Sequence, residues 1–87
     1  MEKYKILFRK SVARDIRRIP NQDVRRILKT IVSLSEDPRP SGAEQLSGQE
    51  RYRVRQGNYR IIYEINDKEV IVVVVKVGHR KDVYRRS

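Results

Sequence analysis

The chain has 87 residues, 38% of them apolar, which suffices for one small domain over residues 1–87 and excludes a second. Lys and Arg number 21 against 11 Asp and Glu, giving a formal charge of +10 and a pI near 10.4, a balance that favours a polyanionic partner, nucleic acid first. The absence of cysteine excludes disulfides and thiolate metal sites, and the longest apolar run, residues 70–75, is too short to span a bilayer. The opening residues 1–10 carry no signal-peptide-like hydrophobic region, so the cytoplasm is the expected compartment, with no membrane partner.

Tyr4, Ile6 and Phe8 alternate with Lys3, Lys5 and Leu7, which predicts a short strand with one apolar face. Ser11 is placed to cap a helix whose Val12, Ile16 and Ile19 form one stripe, and Pro20 ends it because the residue before a proline disfavours helical geometry. Asn21 is placed to cap a second helix with Val24, Ile27, Leu28, Ile31 and Leu34 inward, stopped before Pro38. Residues 38–50 hold two prolines, two glycines and two serines and read as a connecting loop, with Leu46 as its anchor to the core.

From Arg51 the apolar period changes to two, predicting strands over 51–56, 59–65 and 70–77, with a turn at residues 66–68 between the last two. The last strand is apolar on both faces and is therefore expected to lie centrally, covered on each side, by helices on one of them. The element order β-α-α-β-β-β predicts an α+β domain, a two-helix hairpin packed on a mostly antiparallel four-stranded sheet.

In Arg51-Tyr52-Arg53-Val54-Arg55 the arginines share one face of a strand and Tyr52 and Val54 take the other. A two-residue turn at Gly57-Asn58 pairs Gln56 with Tyr59, Arg55 with Arg60, Val54 with Ile61 and Tyr52 with Tyr63, which gathers Arg53, Arg55 and Arg60. Like charges directly opposite one another destabilise a hairpin, and an anionic ligand would offset that. The structural alternative is a solvated basic face neutralised by Glu64 and Asp67. Past the last strand, residues 77–86 return further cations, the sole histidine, His79, and the ring of Tyr84. One histidine, no cysteine and no regular carboxylate spacing predict no metal site and no cofactor.

The run YRVRQGNYRIIYEI (residues 52–65), an apolar strand, and then VGHRKDVY (77–84) closely resemble the C-terminal half of RelE-like toxins of the RelE/ParE superfamily, and the opening strand and helical hairpin fit as well. The resemblance implies the RelE-like fold and the toxin of a type II toxin–antitoxin system. It further implies a metal-independent endoribonuclease (mRNA interferase) that cuts messenger RNA in the decoding site of a 70S-type ribosome by 2′-hydroxyl attack, halting translation. The positions it assigns to the active site are Arg53, Arg55, Arg60, Arg80 and Tyr84, with His79 a further candidate for a direct role. Arg53 and Arg60 suit stabilisation of a dianionic pentacovalent phosphate, and Tyr84 suits stacking on a base.

Some RelE-like enzymes have a lysine where this chain has Arg55, and a guanidinium is not deprotonated in proteins. Either Arg55 acts electrostatically while ribosome or solvent takes the proton, or His79 or Tyr84 serves as acid or base. The resemblance also implies a cognate antitoxin that covers the basic site with an acidic amphipathic segment. Two other functions share this fold and charge: a ParE-like toxin that inhibits DNA gyrase by protein contact, and an RNA-binding domain without catalysis.

Overall fold

A computed structural model describes residues 3–46 and 50–81. The described elements are β1 (Lys5–Phe8), α1 (Lys10–Arg17), α2 (Asn21–Ser33), β2 (Glu44–Gln45), β3 (Arg51–Gln56), β4 (Tyr59–Asn66) and β5 (Ile71–His79). They form one sheet in the order β1-β5-β4-β3-β2, in which β1 runs parallel to β5 and every other pairing is antiparallel. The sheet therefore has five strands rather than four: the segment read as an unstructured loop contributes Glu44 and Gln45 to the outer edge of β3. Composition marks turns and cannot reveal a two-residue strand recruited by its neighbour's backbone.

Both helices lie on one face. Val12 and Ile19 of the α1 segment and Ile27, Ile31 and Leu34 of the α2 segment meet Val54, Ile61, Tyr63, Ile65, Val72, Val74 and Val77 of the sheet in one core. Ile16 and Val24 are half-buried against that core, as their stripe predicts. Leu28 and Phe8 depart from the pattern, being 38% and 48% exposed: on α2 five apolar positions span more arc than one contact covers, and Phe8 stands at the end of the edge strand β1. Leu46 is half-buried outside the core and is held through its backbone, its N–H donating to the Arg51 carbonyl.

The helix starts also differ by a residue or two from the capping pattern. Arg9 precedes α1 in extended geometry and Pro20 precedes α2, neither with a side-chain cap, so Ser11 and Asn21 stand inside the helices. Asp23 in the first turn of α2 and Arg14 and Arg17 in the last turn of α1 complement the helix dipoles. As Pro20 requires, α1 closes at Arg17.

In β5 the buried residues are Val72, Val74 and Val77, a spacing of two and then three. A bulge produces it: Ile62 pairs with Lys76 and Tyr63 with Val74, leaving Val75 unmatched. The valine run tolerates the slip because either parity of residue is apolar. As expected, β5 lies inside the sheet, and its other face carries half-buried Ile71 and Val73.

Tyr63 is fully buried and donates from its hydroxyl to the Pro38 carbonyl at 2.7 Å, and burial pushes its pKa up to about 12. Its ring stacks on Tyr52 at 5.9 Å, and the Arg39 guanidinium lies 5.3 Å from the Tyr52 ring centre. This clamps the chain after α2 onto the middle of the sheet. No helix among the described residues is long and apolar enough to cross a membrane.

Candidate active site

The β3–β4 hairpin is the frame of the site. Gly57 holds φ +59° at the first central position of the two-residue turn, as a turn compatible with strand twist requires, and no side chain would clash there. The resulting register pairs Gln56 with Tyr59, Arg55 with Arg60, Val54 with Ile61 and Tyr52 with Tyr63, every pair as the sequence predicts. Tyr52, Val54 and Gln56 face the helices, where Gln56 accepts a hydrogen bond from Thr30 at 2.6 Å. Arg51, Arg53, Arg55 and Arg60 therefore point to the opposite, helix-free face.

On that face the arginines differ. Arg51 is bound to Glu64 at 2.7 Å, and Arg9 approaches the same carboxylate at 3.6 Å. Arg53 is mostly buried and lies 3.3 Å from Glu44, a carboxylate exposed on the edge strand. Arg55 is exposed. Arg60 is only 6% exposed, and its Nη1 is buried with no hydrogen-bond partner. Of the acids expected to neutralise the cluster, Glu64 serves Arg51 at the far end of the hairpin and Asp67 serves Arg39, so neither reaches Arg55 or Arg60.

A buried guanidinium nitrogen without an acceptor is costly, and a second arginine directly across the ladder adds to the cost. Beside it lies a cleft of about 340 Å³ lined by Gly42, Glu44, Arg53, Arg55 and Arg60 together with Val54. Three guanidiniums against one carboxylate give this cleft a net positive charge. Glu44 and Gly42 were invisible to sequence reasoning, since only the pairing of β2 with β3 brings them there.

The Arg80 N–H donates to the Asn58 carbonyl at 2.9 Å, which pins the start of the C-terminal segment to the hairpin turn. His79 pairs with Tyr59, and Gly78 with Arg60, so strand alternation puts His79 on the helix face and Arg60 on the other. The His79 ring meets Tyr59 edge-on at 5.8 Å, and its Nδ1 accepts from the Lys81 N–H at 3.3 Å. The structure thus brings Arg53, Arg55 and Arg60 together, anchors Arg80 beside their turn and separates His79 from them. Tyr84 lies outside the described residues.

This fold and this hairpin have counterparts. Residues 6–84 match the family of ParE toxins of type II toxin–antitoxin (parDE) systems. The chain belongs to the RelE/ParE toxin superfamily. It is 34% identical to the toxin RelG of Mycobacterium tuberculosis over 91 aligned residues, covering 95% of this chain and 98% of the relative. Among solved structures, the toxin–antitoxin complex RelBE2 of M. tuberculosis superposes with a TM-score of 0.80 at 26% identity, covering 90% of this chain and 99% of that one. The archaeal RelE–RelB complex of Pyrococcus horikoshii gives 0.81 at 28% identity, covering 90% and 96%. The chain is a toxin of the type II class with a RelE-like fold, and its arginine cleft sits on the hairpin that carries the family resemblance.

Proposed function

We propose that this toxin is a metal-independent endoribonuclease that cuts messenger RNA on the ribosome, and that the buried Arg60, its Nη1 without a hydrogen-bond partner, in a cationic cleft is the observation that carries this reading. Cleavage of RNA by its own 2′-hydroxyl forms a bond from the 2′-oxygen to phosphorus and breaks the bond to the 5′-oxygen. The 2′-oxygen loses a proton and the departing 5′-oxygen gains one, leaving a cyclic phosphate on one fragment and a 5′-hydroxyl on the other. DNA, without a 2′-hydroxyl, is no substrate.

The pentacovalent phosphate carries two negative charges, and fixed N–H donors in a water-poor cleft stabilise it more than they stabilise the starting diester. Arg60 supplies such donors without reorganisation, because the sheet already holds it buried. Arg53 exchanges its ion pair with exposed Glu44 for the phosphate, a trade that costs little because half-solvated pairs are weak. Exposed Arg55 meets the substrate first and acts by charge alone. Arg80 adds positive charge and Tyr84 stacks on a base. His79, facing the helices, is left out of proton transfer, which falls to Tyr84, to solvent or to a ribosomal group.

The partner in the resting state is a cognate antitoxin with an acidic segment over the cleft, as supported by charge complementarity and by the antitoxin-bound state of both solved relatives. The site of action is the cytoplasm, where ribosomes and transcripts meet.

The test is induction of the chain in cells with two readouts, the 5′ ends of transcripts and gyrase-linked DNA breaks. Wild type is expected to cut ribosome-bound messages within codons, and Arg60→Ala to lower the cleavage rate about 10²-fold, the scale of losing one oxyanion donor. Tyr84→Ala is expected to cut poorly as well. Whole transcripts accompanied by DNA breaks would overturn the ribonuclease reading in favour of gyrase inhibition.

A further inference from the structure

A second cationic groove, of about 770 Å³, lies on the other side of the sheet end, between α1 and the last residues of β5. It exists because β1 is short. β1 pairs only with residues 71–74 of β5, so from Val75 onward the outer edge of β5 has no strand beside it, and α1 lies along that edge instead. The Asp15 carboxylate accepts the Val77 N–H at 3.2 Å and so covers part of that edge.

The charges in the groove do not balance. Arg14 in α1 and Arg18 at its C-cap, one helical turn apart, line it, whereas Lys76 lines it only at the rim, because its pairing with Ile62 turns it to the face of Arg60. Its lining has a single carboxylate, Asp15, which is already engaged with the Val77 backbone. Burial, and then the nearby Asp23, which is not part of the lining, raise the pKa of Tyr59. Among the described residues the ion pairs use Lys3, Arg9, Arg39, Arg51 and Arg53, and none uses Arg14, Arg18 or Lys76. The floor is aromatic, Tyr59 meeting His79 edge-on.

We propose that this groove is a second RNA-binding site, in which Arg14 and Arg18 hold phosphodiester backbone beside the Tyr59–His79 ring pair. Unpaired cations over an aromatic floor are the two components of sequence-tolerant RNA binding. An amphipathic protein segment would instead need apolar contact, and the exposed large apolar residues, Leu7 and Phe8 on β1 and Leu28 and Val32 on α2, all stand outside the lining of this groove. The backbone comes either from the transcript flanking the cut or from ribosomal RNA. The proposal does not rest on the cleavage reading, since a chain that bound RNA without cutting it would use the groove equally.

The test measures binding of the full chain to two probes between 50 and 200 mM salt: a labelled single-stranded RNA with 2′-O-methyl groups, which cannot be cut, and purified 70S ribosomes. Arg14→Ala/Arg18→Ala is expected to weaken binding about tenfold and to lower the slope of log affinity against log salt by about 1.4, the value for two lost phosphate contacts on single-stranded RNA. Because alanine favours a helix, the double variant should fold, which its melting temperature checks. A loss seen with the oligonucleotide assigns the transcript, and a loss confined to ribosomes assigns ribosomal RNA. Unchanged affinity and slope on both probes would overturn the proposal, as would a loss confined to an acidic antitoxin peptide. Cleavage by Arg60→Ala reads the other site, so either conclusion can fail without the other.

Discussion

Arg60 sets two demands against each other. As a buried guanidinium with an unpartnered nitrogen opposite Arg55, it destabilises the empty protein; as a fixed donor, it is the most useful group in the cleft. Replacing it with an apolar residue should separate the two. Arg60→Leu is expected to raise the unfolding free energy in urea by about 1–3 kcal/mol, since it removes an unsatisfied buried group, while abolishing toxicity. A large loss of stability would mean that Arg60 is a structural residue and not a binding one. Arg53, with Glu44 as its partner, carries no such tension.

The element on which the site depends is the β3–β4 hairpin. Its register is held by the turn at Gly57, by Tyr52 stacked on Tyr63 and by Gln56 tied to α2, and a slip of one residue would move every arginine to the wrong face. The surroundings of Gly57 are open, so any cost of a side chain there comes from its positive φ alone. Gly57→Ala is expected to lower stability by about 1–2 kcal/mol in denaturant titration, with toxicity retained while the register holds. The bulge at Val75 belongs to the same scale: it resets β5 so that Val74 and Val77 both reach the core.

Over the whole molecule, Asp67 ties distant parts of the chain together. It binds Arg39 through both oxygens, at 2.8 and 3.2 Å, and accepts the Tyr4 hydroxyl at 2.7 Å, joining the residue before β1, the segment after α2 and the β4–β5 turn. The Arg39 hydrogen bonds, then the Tyr4 hydroxyl, hold its carboxyl below the ordinary value of 3.8. A carboxyl depressed in the folded state contributes stability that is complete above its unfolded pKa and is lost as pH falls through the folded one. The melting temperature of wild type is therefore expected to fall below about pH 4 more steeply than that of Asp67→Asn, which lacks the titrating group. Parallel curves would show that the cluster adds nothing to stability.

Strand periods, proline stops and the Gly57-Asn58 turn are local properties, and from them the sequence alone determined the helical hairpin, the three long strands and the hairpin register that brings Arg53, Arg55 and Arg60 to one face. Alternation within a strand needs no knowledge of the rest of the chain. Tertiary structure decided what happens between strands distant in sequence. The pairing of β2 with β3 placed Glu44 beside Arg53, and the bulged pairing of β4 with β5 put Gly78 opposite Arg60 and turned His79 to the helices. Burial of Arg60 was likewise out of reach, because the pattern that marks a face as basic says nothing about what covers it. The groove beside α1 follows from the shortness of β1, a fact about where a neighbour stops pairing and not about the residues that line the opening.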